Sequence, residues 1–356
     1  MFLRFSPGQS GWRAVATVGW GLVVMVWSLG RCNEAQAQCA TLNLQAPHWE
    51  LVFADEFDKP TLNDTLWTTV PGGLVPYQGK YPGWGSEYFP QPGDSDYDSR
   101  LLTITPNDAS DPTVKGVLHL TALPLPVADS VRHSLNHKGA DQPRSARYKS
   151  AMIRSRKDYP AYGAYIMRAR LPRARDYQAW PTFWLWSCGT EIDILDGVGV
   201  DKQKRASYLV NVIDNIDVKT VVPEPNTCFA GPFAYPELVN GTPGTKQQSP
   251  YNQQDPKHRG LFRRKSSFDT DYNTYAMVWT PEKVVFYFNE TAVFTVPRSD
   301  VRTLPKWHSI LVTMQMFIKA SKQKAYTMDV DYIRVYKTKM LKADGVTPNY
   351  EAIRCE

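Results

Sequence analysis

What the 356-residue sequence lacks narrows the field first. Its five cysteines include no Cys-x-x-Cys pair, which removes the common zinc and thioredoxin-type signatures. No block of Lys and Arg marks a nucleic-acid-binding face; the densest group, Arg263-Arg264-Lys265, reads as a solvated loop. A phosphate-cradling glycine loop, a Gly-x-Ser-x-Gly elbow and an internal repeat are all missing. So is any 3.6-residue apolar period sustained over four turns, so helices are expected to be short. The longest apolar run, residues 14–30, is short of the ~20 residues that span a bilayer.

That run has a basic start, Arg4 and Arg13, and is followed by Ala35-Gln36-Ala37, a small-x-small cleavage pattern. Residues 1–38 are therefore expected to be an export signal. Residues 39–356 form a single domain that is secreted, extracellular or periplasmic, with no membrane attachment after removal. Cutting after Ala37 leaves 38 basic against 34 acidic residues, so the formal charge falls from +6 to +4. A mildly basic surface tolerates an acidic polysaccharide without requiring one. Four cysteines remain, an even number that suits disulfides in an exported chain. Three pairings are open, of which Cys39–Cys355 with Cys188–Cys228 is favoured.

Aromatic and β-branched runs broken by Pro, Gly, Asn and Asp recur along the chain, the pattern of an all-β domain. Residues 69–99, 123–145 and 214–267 read as long loops, the natural walls of a cleft. The stretch richest in chemistry is Trp180-Pro-Thr-Phe-Trp-Leu-Trp-Ser-Cys-Gly-Thr-Glu191-Ile-Asp193-Ile-Leu-Asp196. On a strand, Glu191 and Asp193 share a face, with Ile192 and Ile194 opposite. Asp196 is out of phase by one residue and rejoins that face only if a β-bulge near Ile194-Leu195 absorbs the extra one. Three acids on one face suit glycosidic hydrolysis: one carboxylate attacks the sugar and a protonated carboxyl about 5–5.5 Å away donates to the leaving oxygen. The bland alternative is an ordinary amphipathic strand with three solvated acids.

Glu191-Ile-Asp-Ile-Leu-Asp196 behind Trp180-Pro-x-Phe-Trp resembles the bulged signature of glycoside hydrolase family 16, the laminarinase-like β-glucanases. Supporting matches are Leu51-Val-Phe-Ala-Asp-Glu-Phe57 with Trp67, Gly83-Trp-Gly-Ser-Glu87, and Tyr162-Gly-Ala-Tyr through Arg168-Ala-Arg-Leu-Pro172. Two more are Tyr275-Ala-Met-Val-Trp-Thr-Pro-Glu-Lys283 and Met328-Asp-Val-Asp-Tyr-Ile-Arg-Val-Tyr336. The resemblance implies a curved antiparallel β-sandwich, a jelly roll of the concanavalin A type. It makes Glu191 the nucleophile, Asp193 the assisting acid and Asp196 the general acid/base, where the family has Glu. It also puts Trp84, Trp180 and Trp184 along the glycan, because indole faces stack on the apolar faces of sugars. Glu87, Asn211 and Gln315 are then hydroxyl partners.

Other departures are Ile166 in place of Glu, Ser150-Ala-Met in place of Ser-Gly-Arg, and no glycine pair around Phe317-Ile-Lys. They speak against an ordinary laminarinase subsite set and leave mixed-linkage glucan, agar or carrageenan open. No cofactor is required for the chemistry. A structural calcium is implied by the resemblance, with Glu56 and Asp331 as its carboxylates. The expected activity is endo-cleavage of a β-linked polysaccharide by a monomer. A non-catalytic glycan-binding protein and a transglycosylase on the same fold remain alternatives.

Overall fold

The apolar runs of this sequence alternate along extended strands, and the two sheets they form bury one face each against the other. The computed structural model describes residues 41–71, 80–126, 132–134, 143–173, 176, 178–187, 190–200, 206–214, 237–239, 242–243, 268–297, 307–317, 319–345 and 348–349. All belong to one compact unit, Cys39–Glu356. The four cysteines and the proposed export signal lie outside the described residues. Nine strands matter for the site: β1 (Trp49–Asp55), β2 (Met152–Ser155), β3 (Gly163–Arg170), β4 (Ala179–Ser187), β5 (Thr190–Asp196), β6 (Asn211–Asp214), β7 (Asn273–Trp279), β8 (Trp307–Met316) and β9 (Tyr326–Thr338). No α-helix occurs among the described residues, only a 3-10 turn at Ser99–Leu101.

In the first sheet β7 pairs with β3, β3 with β9, and β9 with both β1 and Val117–Pro124, all antiparallel. The second sheet runs β6-β5-β4-β8-β2, again antiparallel. One short parallel pairing, Glu87–Phe89 beside Tyr148–Lys149, is the exception. The fold is the β-sandwich that the resemblance implies, and all three long connections carry short strands: Tyr81–Pro82 and Glu87–Phe89 in the first, Arg132–Ser134 with Pro143–Ser145 in the second, and Glu237–Val239 with Thr242–Pro243 in the third.

The core between the sheets takes Tyr165 and Met167 from β3, Phe183 and Leu185 from β4, Ile192, Ile194 and Leu195 from β5, and Ile310, Val312 and Met314 from β8. Period-two alternation does the sorting: Trp184 and Trp186 lie on the opposite face of β4 from Phe183 and Leu185. Removing one such ring, as in Phe183→Ala, costs about 3–5 kcal/mol, so this core fixes strand register firmly. A second apolar cluster lies on the far side of the first sheet, where Leu42, Ala46 and Trp49 cover Ala164, Ile166, Val285 and Tyr287. Ile166 therefore faces away from the second sheet. Its departure from the family pattern reflects this outer apolar patch and carries no information about sugar subsites, contrary to the sequence-based expectation.

Candidate active site

The acids meet on the outward face of the second sheet, and a bulge brings them there. Across β4 and β5 the partners are Trp186 with Glu191, Leu185 with Ile192, Trp184 with Asp193, Phe183 with Leu195 and Thr182 with Asp196. Ile194 has no opposite number. Two consecutive residues, Ile194 and Leu195, therefore enter the core, and the phase after them is reversed. Glu191, Asp193 and Asp196 consequently share one face. Asp193 and Asp196 are buried at 4% and 8% exposure, and Glu191 is more open. Opposite residues Trp186 and Thr182 are four apart on β4, so the backbones at Glu191 and Asp196 stand about 13 Å apart. Both side chains must lean inward over Asp193 to serve one sugar.

The rows beside the acids follow from register. Gln315 of β8 lies beside Trp180, Thr313 beside Thr182, Leu311 beside Trp184, and Ser309 beside Trp186. Trp180 donates its indole N–H to Asp196 Oδ1 at 2.6 Å and stacks nearly parallel on Phe317, 5.6 Å between centroids. Trp184 packs edge-on to Trp84 at 5.2 Å and to Trp186 at 6.2 Å, in a patch with Phe89, Met152 and Leu311. Met152, the residue replacing the family's Arg, is thus part of an aromatic floor. The Gln315 amide donates to Thr313 Oγ1 at 3.0 Å, while its buried carbonyl Oε1 has no partner. Trp184 Nε1 is also buried without one. Buried polar atoms are seldom left unpaired, and both lie on the face that carries the acids. Asn211 is opposite Asp193 in the β5–β6 ladder.

Glu87, expected as a hydroxyl partner, is placed differently. It is fully buried, and its two carboxylate oxygens accept from the backbone N–H of Met316 at 2.8 Å and of Gly85 at 3.2 Å. Burial pushes its carboxyl up to about 7, against the pull of those donors. Its role is to tie the Trp84 loop to the end of β8. Gly85 makes that possible, because a Cβ there would stand 1.7 Å from the Met316 carbonyl oxygen. Ser86 reinforces the tie, donating from N to Met316 O and from Oγ to Phe317 O. The distance of 229 residues between Glu87 and Met316 hides this pairing from a reading of local motifs.

The expected calcium carboxylates do not fit a metal. Glu56 takes a two-pronged bond from Arg334, 2.7 Å on each oxygen, and Asp331 accepts from Arg168. No group of three or more His, Cys, Asp or Glu that could hold an ion occurs among the described residues. Both carboxylates are instead engaged by guanidinium groups.

A model of the "Glycosyl hydrolases family 16" family matches residues 235–334, and a β-glucanase from Rhodothermus marinus is 26% identical over 322 residues, 82% of this chain and 87% of the relative. The chain is thus similar to the family 16 glycosyl hydrolases. The matched span includes the strands β7 and most of β9 and lies after the acid motif, so the acids rest on their own geometry. A keratan-sulfate endo-1,4-β-galactosidase from Sphingobacterium multivorum is 24% identical over 197 residues, 49% of this chain and 37% of that protein. Among solved structures, the catalytic domain of an endo-1,3-β-glucanase (laminarinase) from Thermotoga petrophila superposes with a TM-score of 0.52 at 17% identity. It spans 82% of this chain and 99% of its own. At that identity the likeness speaks for the fold. Likeness to family 16 and a bulged acid strand together support a glycoside hydrolase.

Proposed function

We propose that this protein cleaves internal β-glycosidic bonds of a polysaccharide, with a β-1,3- or mixed-linkage glucan as the leading substrate, by a retaining two-carboxylate mechanism. The single observation that carries the proposal is the Ile194 bulge, which sets Glu191, Asp193 and Asp196 on one face beside three tryptophans. Glu191, the most open of the three, attacks the anomeric carbon. Asp196 gives its proton to the departing oxygen and then takes one from water. Asp193 between them orients Glu191 and holds the two acidities apart. Neither step calls for a cofactor. The β-glucanase relative supports glucan, while the galactosidase relative keeps a galactan within range.

The test is reducing-end release from laminarin, mixed-linkage β-glucan, agarose and carrageenan, with Glu191→Gln alongside. Cleavage by the wild type that the variant loses supports the mechanism; equal cleavage by both removes it. Following the first-formed anomer by NMR then decides the stereochemistry. Asp is one methylene shorter than Glu, so a gap widened toward the about 6.5–9.5 Å of inverting enzymes would yield the inverted anomer. The second reading, a glycan-binding protein, is favoured by that same shortening at Asp196. It predicts retention on an immobilised glycan with no new reducing ends. Export through the first 38 residues is proposed on the same footing, and N-terminal sequencing of the secreted protein tests it.

A further inference from the structure

Trp180 lies where a sugar platform is expected, yet its polar edge is directed at the acid. Its N–H donates to Asp196 Oδ1 at 2.6 Å. Its ring is held by a near-parallel stack on Phe317, 9° between planes. Its other flank lies over Gly197, which has φ +78; a Cβ there would stand 2.6 Å from Trp180 Cδ1 and 3.1 Å from Nε1. The backbone on both sides of the carboxyl is fixed as well, Asp196 N donating to Leu209 O at 2.8 Å and Gly197 N to Pro181 O at 2.9 Å. Phe317, Gly197 and the bulge thus converge on one hydrogen bond. None of them is needed merely to present an indole face to a sugar.

We propose that Trp180 is a positioning residue for the general acid, its N–H locking the Asp196 carboxyl in the orientation from which it transfers its proton. The inference rests on the hydrolytic reading above. A short carboxyl arm has little room to correct an error, and useful catalytic geometry needs roughly 10–20° of angular control. With Oδ1 committed as an acceptor, the acid proton is carried on Oδ2. In the first step that proton passes to the glycosidic oxygen as its bond to the anomeric carbon breaks and a Glu191 oxygen bonds to the carbon. In the second, water gives its oxygen to the carbon and a proton to Asp196, and Glu191 departs as a carboxylate. The Trp180 N–H stays in place through both.

The experiment compares Trp180→Phe with the wild type on two substrates: the polysaccharide cleaved in the panel, and the 2,4-dinitrophenyl glycoside of its disaccharide with azide present. Dinitrophenolate leaves without a proton, and azide attacks the glycosyl-enzyme without a base, so that substrate bypasses the acid. General acid–base help is worth about 100-fold or more. The expected result is a kcat on polysaccharide lowered about 100-fold, with dinitrophenyl glycoside turnover changed several-fold at most. Equal losses on both substrates would make Trp180 a sugar platform alone and overturn the inference. Phe317→Leu, which keeps the N–H but removes its support, should give the same pattern with a loss of about 10-fold. This second variant decides the matter if Trp180→Phe does not fold. A wild type inactive on both substrates removes the hydrolytic reading, a result distinct from any difference between variants.

Discussion

Glu87 accepts a 2.8 Å hydrogen bond from the backbone N–H of Met316, and with the Ser86 bonds this contact anchors the Trp84 loop to the strand that carries Gln315. Because burial raises the Glu87 carboxyl from its usual value near 4.5 to about 7, the folded protein holds a proton there that the unfolded chain has released. Its contribution is complete below pH 4.5 and is lost as pH rises through 7. The loss amounts to about 3 kcal/mol. Glu87→Gln, which cannot ionise, should therefore compare more favourably with the wild type at pH 8 than at pH 5. Thermal unfolding at the two values checks this; a gap independent of pH would mean that the carboxylate stays ionised.

His308 tilts stability the other way. It lies fully buried beside Trp279, 5.0 Å between ring centroids, and neither ring nitrogen has a partner. Burial lowers it to about 4 from an ordinary 6.5. The unfolded chain thus takes up a proton between these values that the folded one refuses. Stability is whole above pH 6.5 and declines as pH falls to 4, by about 3 kcal/mol. His308→Leu removes that slope, so chemical denaturation should show the variant gaining on the wild type by this amount between pH 7.5 and pH 4. Between pH 4.5 and 6.5 the two buried groups oppose one another, and the wild-type profile should be flatter than either variant's.

How far the sequence reveals the site depends on how local the cause is. Asp196 is out of phase with Asp193 by one residue, a mismatch that a single strand can repair only with a bulge, and the register places it at Ile194. The apolar alternation of β4 likewise announces which tryptophans face outward. Ile166 and Glu87 are illegible by the same means. Ile166 looks like a lost cleft residue because a strand's period says that two faces exist without saying which is outermost; only the cover from Leu42 and Trp49 decides. Glu87, in a loop of Gly, Trp and Ser, looks like a ligand until its distant backbone partner is known. The Trp180–Asp196 bond lies between these cases. Both residues stand in one motif, but Phe317 and the Gly197 backbone give the indole its direction.

On the first sheet, arginines pair the two carboxylates expected to bind calcium. Arg168 bridges Asp331 and Asp111, Arg170 bridges Asp329 and Asp108, and both guanidiniums lie over the Tyr272 ring. Asp331 is 5% exposed, but Arg168 keeps Asp111 as a second partner at 2.6 Å, so removing the Asp331 charge leaves the guanidinium paired. Asp331→Asn should cost only about 1 kcal/mol, one weakened hydrogen bond. Chelator or added calcium should leave the melting temperature of the wild type unchanged. A rise on adding calcium would mean that Glu56 and Asp331 exchange their arginines for the ion, contrary to the pairing observed.

Gly197→Ala separates backbone strain from acid positioning, because Gly93 offers a matched control. Both glycines have positive φ, +78 and +101, a region that costs an L-residue roughly 1–3 kcal/mol. At Gly93 an added Cβ meets nothing within 4 Å, whereas at Gly197 it would stand 2.6 Å from the Trp180 ring. The ring has to move, and its N–H with it. Both alanine variants should therefore lower the unfolding temperature, Gly197→Ala by more because of the clash, and Gly93→Ala should keep its polysaccharide activity. Gly197→Ala should lose about 10-fold or more in kcat and little on the dinitrophenyl glycoside. If both variants lose activity in proportion to stability, the glycine after the acid serves the turn alone, and the space it leaves for the indole has no catalytic consequence.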